Sequence, residues 1–268
     1  VAHTAALSLA SSLWRWRKLI KELALREVRA RHAGSVLGAA WSVLEPLIQF
    51  MLYLTVFSYF LGMRLEGRAD VGSFALYLVA GLVPFQALQE ALGRAAALVR
   101  QQAGLVRYVN VPLEVLVAAA LLAVAVRHAV MLALVAAAAL AVGTVSWAGV
   151  PLLAAGALVL VAAVAGLSLI LVPAGAYLPD LPQVVATATS VLFFMTPIVY
   201  LESMVPAAAR PLLAGNPLVG VVEAFRAAII GGAVAPLRLA YSAAAAAALL
   251  VCGVVVFAAR SRAVRDLV

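Results

Sequence analysis

Three ionisable side chains stand inside stretches of sequence that are otherwise apolar. Glu45 stands near the end of AGSVLGAAWSVLEPL (residues 33–47), and the adjacent Arg127 and His128 interrupt the run 113–142. An acid, a guanidinium and an imidazole could relay protons, form one ion pair, or together line a wet cavity. A charge at membrane depth costs at least ~2.5–3.5 kcal/mol on insertion scales, so such groups are paired, hydrated or used. Counted back at 1.5 Å per residue from the far ends of their runs, Glu45 and Arg127 lie ~25 Å and ~22 Å from one surface, at similar depth. Pro46 cannot donate to the carbonyl of Ser42, which concentrates a polar defect beside Glu45. Two expectations stay open: Glu45 pairs with Arg127 or His128, fixing helix register, or these groups face a polar channel.

Other chemistry is poorly represented. The sequence has no GxxxxGK[ST] phosphate loop, no HExxH, no CxxC pair and no GxSxG serine setting. His3, His32 and His128 are scattered without metal-ligand spacing, and Cys252 is the single cysteine, so no disulfide forms within one chain. No catalytic residue, metal or bound cofactor is therefore expected. If the protein does work, its energy source lies elsewhere. A second candidate is GRAAALVRQQAGLVRYVNVP (93–112), where Leu98, Leu105, Val106 and Val109 alternate with Arg100, Gln101, Gln102 and Arg107. This pattern suits a short amphipathic helix that either docks a partner or is merely a solvated connector.

The elements that must position these groups are membrane helices. Hydrophobic residues make up 66% of the 268 and charged ones 11%, against ~45–50% and ~25% in soluble domains, and the mean hydropathy is +1.12. The formal charge of +8 is not a nucleic-acid signature, because the basic residues fall at the ends of apolar segments. Spans of ~20 apolar residues are expected at 38–62, 73–92, 113–142, 148–176, 184–201 and 237–259. The first begins behind a long basic segment with no clear cleavage site, so it is expected to stay in place rather than act as a signal peptide. Alanine-rich runs such as YSAAAAAALL (241–250) suit close helix packing in lipid.

With six spans and both ends on one side, thirteen of the nineteen Lys and Arg fall on that side. Five (Arg64, Arg68, Arg210, Arg226, Arg238) fall on the other, and Arg127 lies within a span. Basic residues are retained in the cytoplasm, so both termini are expected there. Residues 13–29 place Leu13, Trp16, Ile20, Leu23 and Val28 on one helical face and Arg15, Lys18, Glu22, Arg26 and Arg29 on the other, the pattern of an interfacial helix. The segment 202–236 holds apolar stretches too short to cross, broken by Pro206, Pro211, Pro217 and Gly231-Gly232; it predicts a re-entrant helical hairpin. The fold expected is thus all-α: a tail and interfacial helix over 1–32, then a six-span domain over 33–268.

REVRARHAGSVLGAAWSVLEPL, GLVPFQALQEAL, LVRYVNVPLEVL, FFMTPIVY and NPLVGVVEAFRAAIIG, in that order, resemble the successive signatures of the membrane subunit of polysaccharide ABC exporters, which move O-antigen, capsular, teichoic-acid and related glycans. The resemblance spans roughly 23–267. One departure is visible: the turn after span four commonly carries an Arg-Asp pair in that family, whereas here AYLPDLPQ sets Pro179 before Asp180, which puts arginine anchoring of the turn in question.

The resemblance implies a homodimer in the bacterial inner membrane with a channel between the copies, a separate ATPase subunit that binds ATP and Mg, and a lipid-linked polysaccharide as substrate. It makes 93–112 the coupling helix, with Arg100, Gln101, Gln102, Leu105 and Arg107 as contacts to the ATPase. It also implies that spans one and five line the channel, through Glu45, Phe50, Tyr53 and Phe57 and through Phe193, Phe194 and Tyr200. Phe50, Tyr53 and Phe57 recur at i, i+3 and i+7, hence on one face. Two alternatives are an exporter of the same architecture carrying a lipid or drug, and an ion-coupled transporter with Glu45, Arg127 and His128 as proton relay. No convincing internal repeat favours the latter.

Overall fold

The computed structural model describes residues 2–30, 34–65, 71–108 and 111–267. Among these there is no strand, and the chain is an all-α membrane protein. Among the described residues, five helical stretches are long and apolar enough to span a bilayer, Val43–Phe60, Gly72–Gln101, Leu113–Val142, Trp147–Tyr177 and Pro236–Ser261, or six if the bent pair Ala207–Ala214 and Leu218–Ile229 counts as one.

At the N-terminus, α1 (Ala2–Arg15) and α2 (Arg17–Ala30) meet at Trp16, so the expected single interfacial helix is two. Its apolar face is as expected but is covered by protein. Ile20 and Ala24 are buried, and Leu13, Trp16 and Leu23 pack on a cluster holding Leu98, Leu113, Leu116, Phe257 and Val264. This cluster gathers the first two helices, the end of the second span and the C-terminal helix at one end of the bundle, called here the basic end.

The first span is composite. A 3-10 turn at Gly38–Ala40 leads into α3 (Trp41–Tyr53), which contains Pro46 and continues as a seven-residue π-helix over Leu54–Phe60. It is the least covered of the five stretches, with Ile48, Met51, Leu52, Tyr59 and Phe60 exposed. By contrast α4 (Val71–Gln101) is the core of the bundle: Ser73 to Phe85 are buried throughout. The second span was expected to stop at 92. The helix instead runs to Gln101, because Ala95, Ala96, Ala97 and Leu98 are strong helix formers and pack inward. The coupling segment is therefore the end of α4 plus α5 (Ala103–Tyr108).

After α6 (Leu113–Val142), α7 (Val150–Tyr177) packs between α4 and α11 (Pro236–Leu267). Small residues make this possible. A Cβ on Gly166 would lie 2.5 Å from the Leu249 carbonyl carbon of α11, and one on Gly175 would collide with the Ala96 carbonyl of α4. Such close backbone approach is how helices associate in lipid, where apolar burial gives no net drive.

The expected span over 184–201 is shorter than proposed. The helix α8 (Leu181–Met195) has 15 residues, or ~22 Å at 1.5 Å per residue, short of ~30 Å of hydrocarbon. It ends because Thr196 precedes Pro197 and so adopts an extended conformation (φ −107°, ψ 132°).

The segment over 202–236 bends back on itself. Residues Ala207–Ala214, which include α9 (Arg210–Ala214), meet α10 (Leu218–Ile229) at 89°. Asn216 holds the corner: its Nδ2 donates to Thr196 Oγ1 (2.9 Å), and its Oδ1 accepts from the Leu218 N–H (2.9 Å). All of α10 except Glu223 is buried. Its final carbonyls find partners in the α6–α7 turn: Ser146 N–H donates to Ala228 O, and Thr144 Oγ1 to Ile229 O, both at 2.9 Å. A helix end that would otherwise leave orphan acceptors in the membrane is thus satisfied.

Candidate functional site

Glu45, Arg127 and His128, taken from two separate apolar runs, line one cleft of about 800 Å³ between α3, α4 and α6. Trp41, Gln49, Tyr53, Gln86, Gln89 and Glu90 line it with them. Glu90, which the sequence reading passed over, is the hub of the ionic contacts. Its carboxylate is ion-paired with Arg127, lies 3.1 Å from Arg94 Nη2 and has His128 Nδ1 at 3.9 Å. Arg94 is also paired with Glu27 on α2. One ionic chain therefore joins α2, α4 and α6. A signal for it existed: Gln86, Gln89, Glu90 and Arg94 repeat at helical spacing and mark one polar face.

The aromatic candidates divide. Tyr53 lines the large cleft and also a second one of about 250 Å³, together with Gln86, Gln89, Phe85, Ser190, Phe193 and Phe194. The two clefts share Tyr53, Gln86 and Gln89, so they adjoin along α4 and reach α8. Gln49 Nε2 donates to Tyr53 Oη at 3.2 Å, which fixes both side chains on the cleft wall. Phe193 packs against Phe85 with ring centres 5.1 Å apart, whereas Phe194 is exposed. Phe50 and Phe57 instead pack on the apolar core, Phe57 with its ring 6.0 Å from that of Phe74. Tyr200 lines neither cleft; its hydroxyl donates to Phe194 O at 2.8 Å.

At the basic end, Arg100 and Gln101 are exposed, and Gln102 and Leu105 are half-buried; the Arg107 side chain lies outside the described residues. Arg100 Nη1 donates to the Pro179 carbonyl at 2.9 Å. The turn AYLPDLPQ lacks an arginine of its own, yet it is held by one from the end of α4. The two connections at the basic end are thereby tied together.

The opposite end carries two cations that the sequence reading counted only as outer-side charges. Arg226 is buried: its guanidinium lies 3.5 Å over the Tyr77 ring, Nε donates to Tyr77 O (3.1 Å) and Nη2 to Ile198 O (2.9 Å). Gly81 leaves the room for it, since a Cβ there would sit 2.8 Å from Nη2. Arg238 bridges Glu202 (2.6 and 2.8 Å) and Glu223, closing the hairpin over α11. The hydrogen bonds from Arg238 hold the Glu202 carboxyl below the usual carboxylate range.

The two clefts offer a polar and aromatic surface, with ion-paired helices around the larger one. Over residues 18–230 the sequence matches the family described as ABC-2 type transporter. This chain belongs to that family. The ABC-2 chain is 27% identical over 214 residues to the polysialic acid transport protein KpsM of Escherichia coli, covering 80% of this chain and 81% of that one. It is 25% identical over 223 residues to the O-antigen export system permease protein RfbA of Myxococcus xanthus (82% and 84% covered). To RfbA of Klebsiella pneumoniae it is 21% identical over 208 residues (77% and 78%). The matched region of this ABC-2 chain runs from α2 to the end of α10, so it contains both clefts, the coupling segment and the hairpin.

Proposed function

We propose that this chain is the permease subunit of an exporter that carries a lipid-linked polysaccharide from the cytoplasm to the outer side of a bacterial inner membrane. Two copies of the chain flank the path, and a separate subunit binds ATP and Mg and hydrolyses the nucleotide. The observation that carries the reading is the pair of adjoining clefts along α3, α4 and α8, polar at Glu45, Gln86 and Gln89 and aromatic at Tyr53 and Phe194. Hydroxyl-rich chains are held by such amide and aromatic surfaces without demanding one linkage. Relatives in polysialic acid and O-antigen transport support the same substrate class. The basic end, with both termini, faces the cytoplasm.

In this account the ATPase grips Arg100, Gln101, Gln102, Leu105 and Arg107. A push there moves the end of α4, and the ionic chain from Arg94 to Glu27, and from Glu90 to Arg127, carries the movement to α2 and α6. Co-purification tests the partnership. The tagged chain is expected to bring down an ATPase at equal stoichiometry, and Arg100→Glu with Leu105→Asp to release it. A chain that purifies alone and transports with the ATPase deleted would overturn the reading.

A further inference from the structure

Because α1 and α2 bury their apolar face against the bundle, a second face stays uncovered, and its character changes along the helix pair. Backbone bonds run through the junction, from Trp16 N–H to Ser12 O and from Ile20 N–H to Trp16 O, both at 3.0 Å, so the exposed residues on either side continue one surface. As far as Trp14 that surface is uncharged: Leu7 and Ala10 are exposed, and Trp14 is 71% exposed. From Arg15 onward it is basic. Arg15, Arg17, Lys18, Lys21, Arg26 and Arg29 are exposed, and among the described residues of α2 Glu22 is the exposed acid beside them. The Arg17 guanidinium lies 4.6 Å over the Trp14 ring, and its Nη1 donates to Trp14 O at 2.9 Å, so ring and cations are held together at the boundary.

The boundary sits where the spans leave the hydrocarbon. Ser12 Oγ donates to Glu114 Oε1 (2.7 Å) in the first turn of α6, and Leu9, Leu13 and Trp16 pack on the cluster that holds Phe257 and Val264 of α11. A tryptophan between an apolar and a basic stretch marks the headgroup level. Lys21 lies ~10 Å along the helix beyond Trp14, so Arg15, Arg17, Lys18 and Lys21 are all within one Debye length of that level, ~10 Å at 0.1 M salt. Acyl chains match the uncharged half of the face and lipid phosphates the basic half. A soluble acidic protein would match the second half alone.

We propose that the uncovered face of α1 and α2 is a binding site for anionic phospholipids. Their phosphates are held by Arg15, Arg17, Lys18 and Lys21, the arginines as planar forks and the lysines as point charges, and their chains lie against Leu7, Ala10 and Trp14. Each cation near an anionic surface strengthens binding about fivefold. The site is separate from the clefts and stands whichever cargo they pass.

Trp14 supplies the reporter. The full-length chain carrying Trp16→Phe, Trp41→Phe and Trp147→Phe keeps Trp14 as its one tryptophan. It would be placed in phosphatidylcholine nanodiscs holding increasing fractions of phosphatidylglycerol or phosphatidylcholine brominated on the acyl chains, which quench tryptophan on contact. Half-quenching is expected at an at least about fivefold lower fraction of the brominated phosphatidylglycerol, and the preference is expected to shrink in 0.5 M salt. Arg15→Gln with Lys18→Gln and Lys21→Gln should abolish the preference. The same variant should keep its melting temperature and its quenching by brominated phosphatidylcholine, since these side chains are exposed. Equal quenching by the two lipids, quenching by neither, or a preference that survives the triple substitution would overturn the site. Protection of Trp14 from both lipids on adding the co-purifying ATPase subunit would make the face a protein dock and overturn it as well.

Discussion

Removing the Glu90 carboxylate is the most informative perturbation of the ionic chain. Breaking a fully buried pair by deleting one partner costs ~3–5 kcal/mol, because the remaining charge is stranded. Here the side chains of Glu90 and Arg127 are 21% and 16% exposed, so water from the cleft softens the loss. Among the described residues, Glu90→Leu also leaves Arg94 with Glu27 as its remaining ionic partner. A cost of ~2–3 kcal/mol follows, which at ~2–4 °C per kcal/mol lowers the melting temperature by roughly 4–12 °C. Arg127→Met alone should cost a similar amount. The double variant Glu90→Leu with Arg127→Met should recover most of it, since an apolar pair of similar volume removes both stranded charges. The assay is thermal unfolding of the four proteins in one detergent, read as a double-mutant cycle. Additive losses, or a Glu90→Leu shift within about 1 °C of zero, would refute the assignment of Glu90 as the hub.

Three other outcomes are expected. Gly175→Leu drives a side chain into the Ala96 carbonyl and should destabilise the packing of α7 on α4 by at least ~1–3 kcal/mol, measured by thermal unfolding, while Gly104→Ala, which meets open space, should be nearly silent. Arg100→Ala removes the hydrogen bond to Pro179 and should lower transport-coupled ATP hydrolysis several-fold while leaving the melting temperature almost unchanged. The Glu202 carboxyl titrates lower in the folded than in the unfolded chain, so its pairing with Arg238 stabilises the hairpin fully above its ordinary pKa of 4.5, and this is lost as pH falls through the lower folded value. Hydrogen exchange across 202–214 should therefore rise in acid, and Glu202→Gln should abolish that rise.

The long apolar runs made most of the membrane architecture legible, because a helix hidden in lipid needs no other signal than length and hydropathy. Where the reading fell short, charge was the reason. Glu90 was passed over, Arg94 was placed in a loop and span two was cut at 92, whereas α4 continues through both because each finds a partner on a neighbouring helix. Arg226 and Arg238 were counted only as charges on the outer side. Their partners, the carbonyls of Tyr77 and Ile198 and the carboxylates of Glu202 and Glu223, come from distant or folded-back segments that no local pattern identifies. The shortening of α8 was visible in Thr196-Pro197 but outweighed by the apolar run around it. Glu45, Arg127 and His128 were placed at one depth by simple counting, and the fold sets them around one cleft; Phe50 and Phe57 show that a shared helical face does not say what the face meets.

The central claim is that this chain passes a lipid-linked glycan across the membrane at the expense of ATP hydrolysed by another subunit. The direct measurement is the sidedness of that glycan in cells from which the chain is depleted, followed with a membrane-impermeant glycan-modifying reagent. The account predicts that lipid-linked glycan accumulates where the reagent cannot reach it, that wild-type chain restores access, and that restoration requires an active ATPase partner. Glycan reaching the outer face at the normal rate without this chain would contradict it.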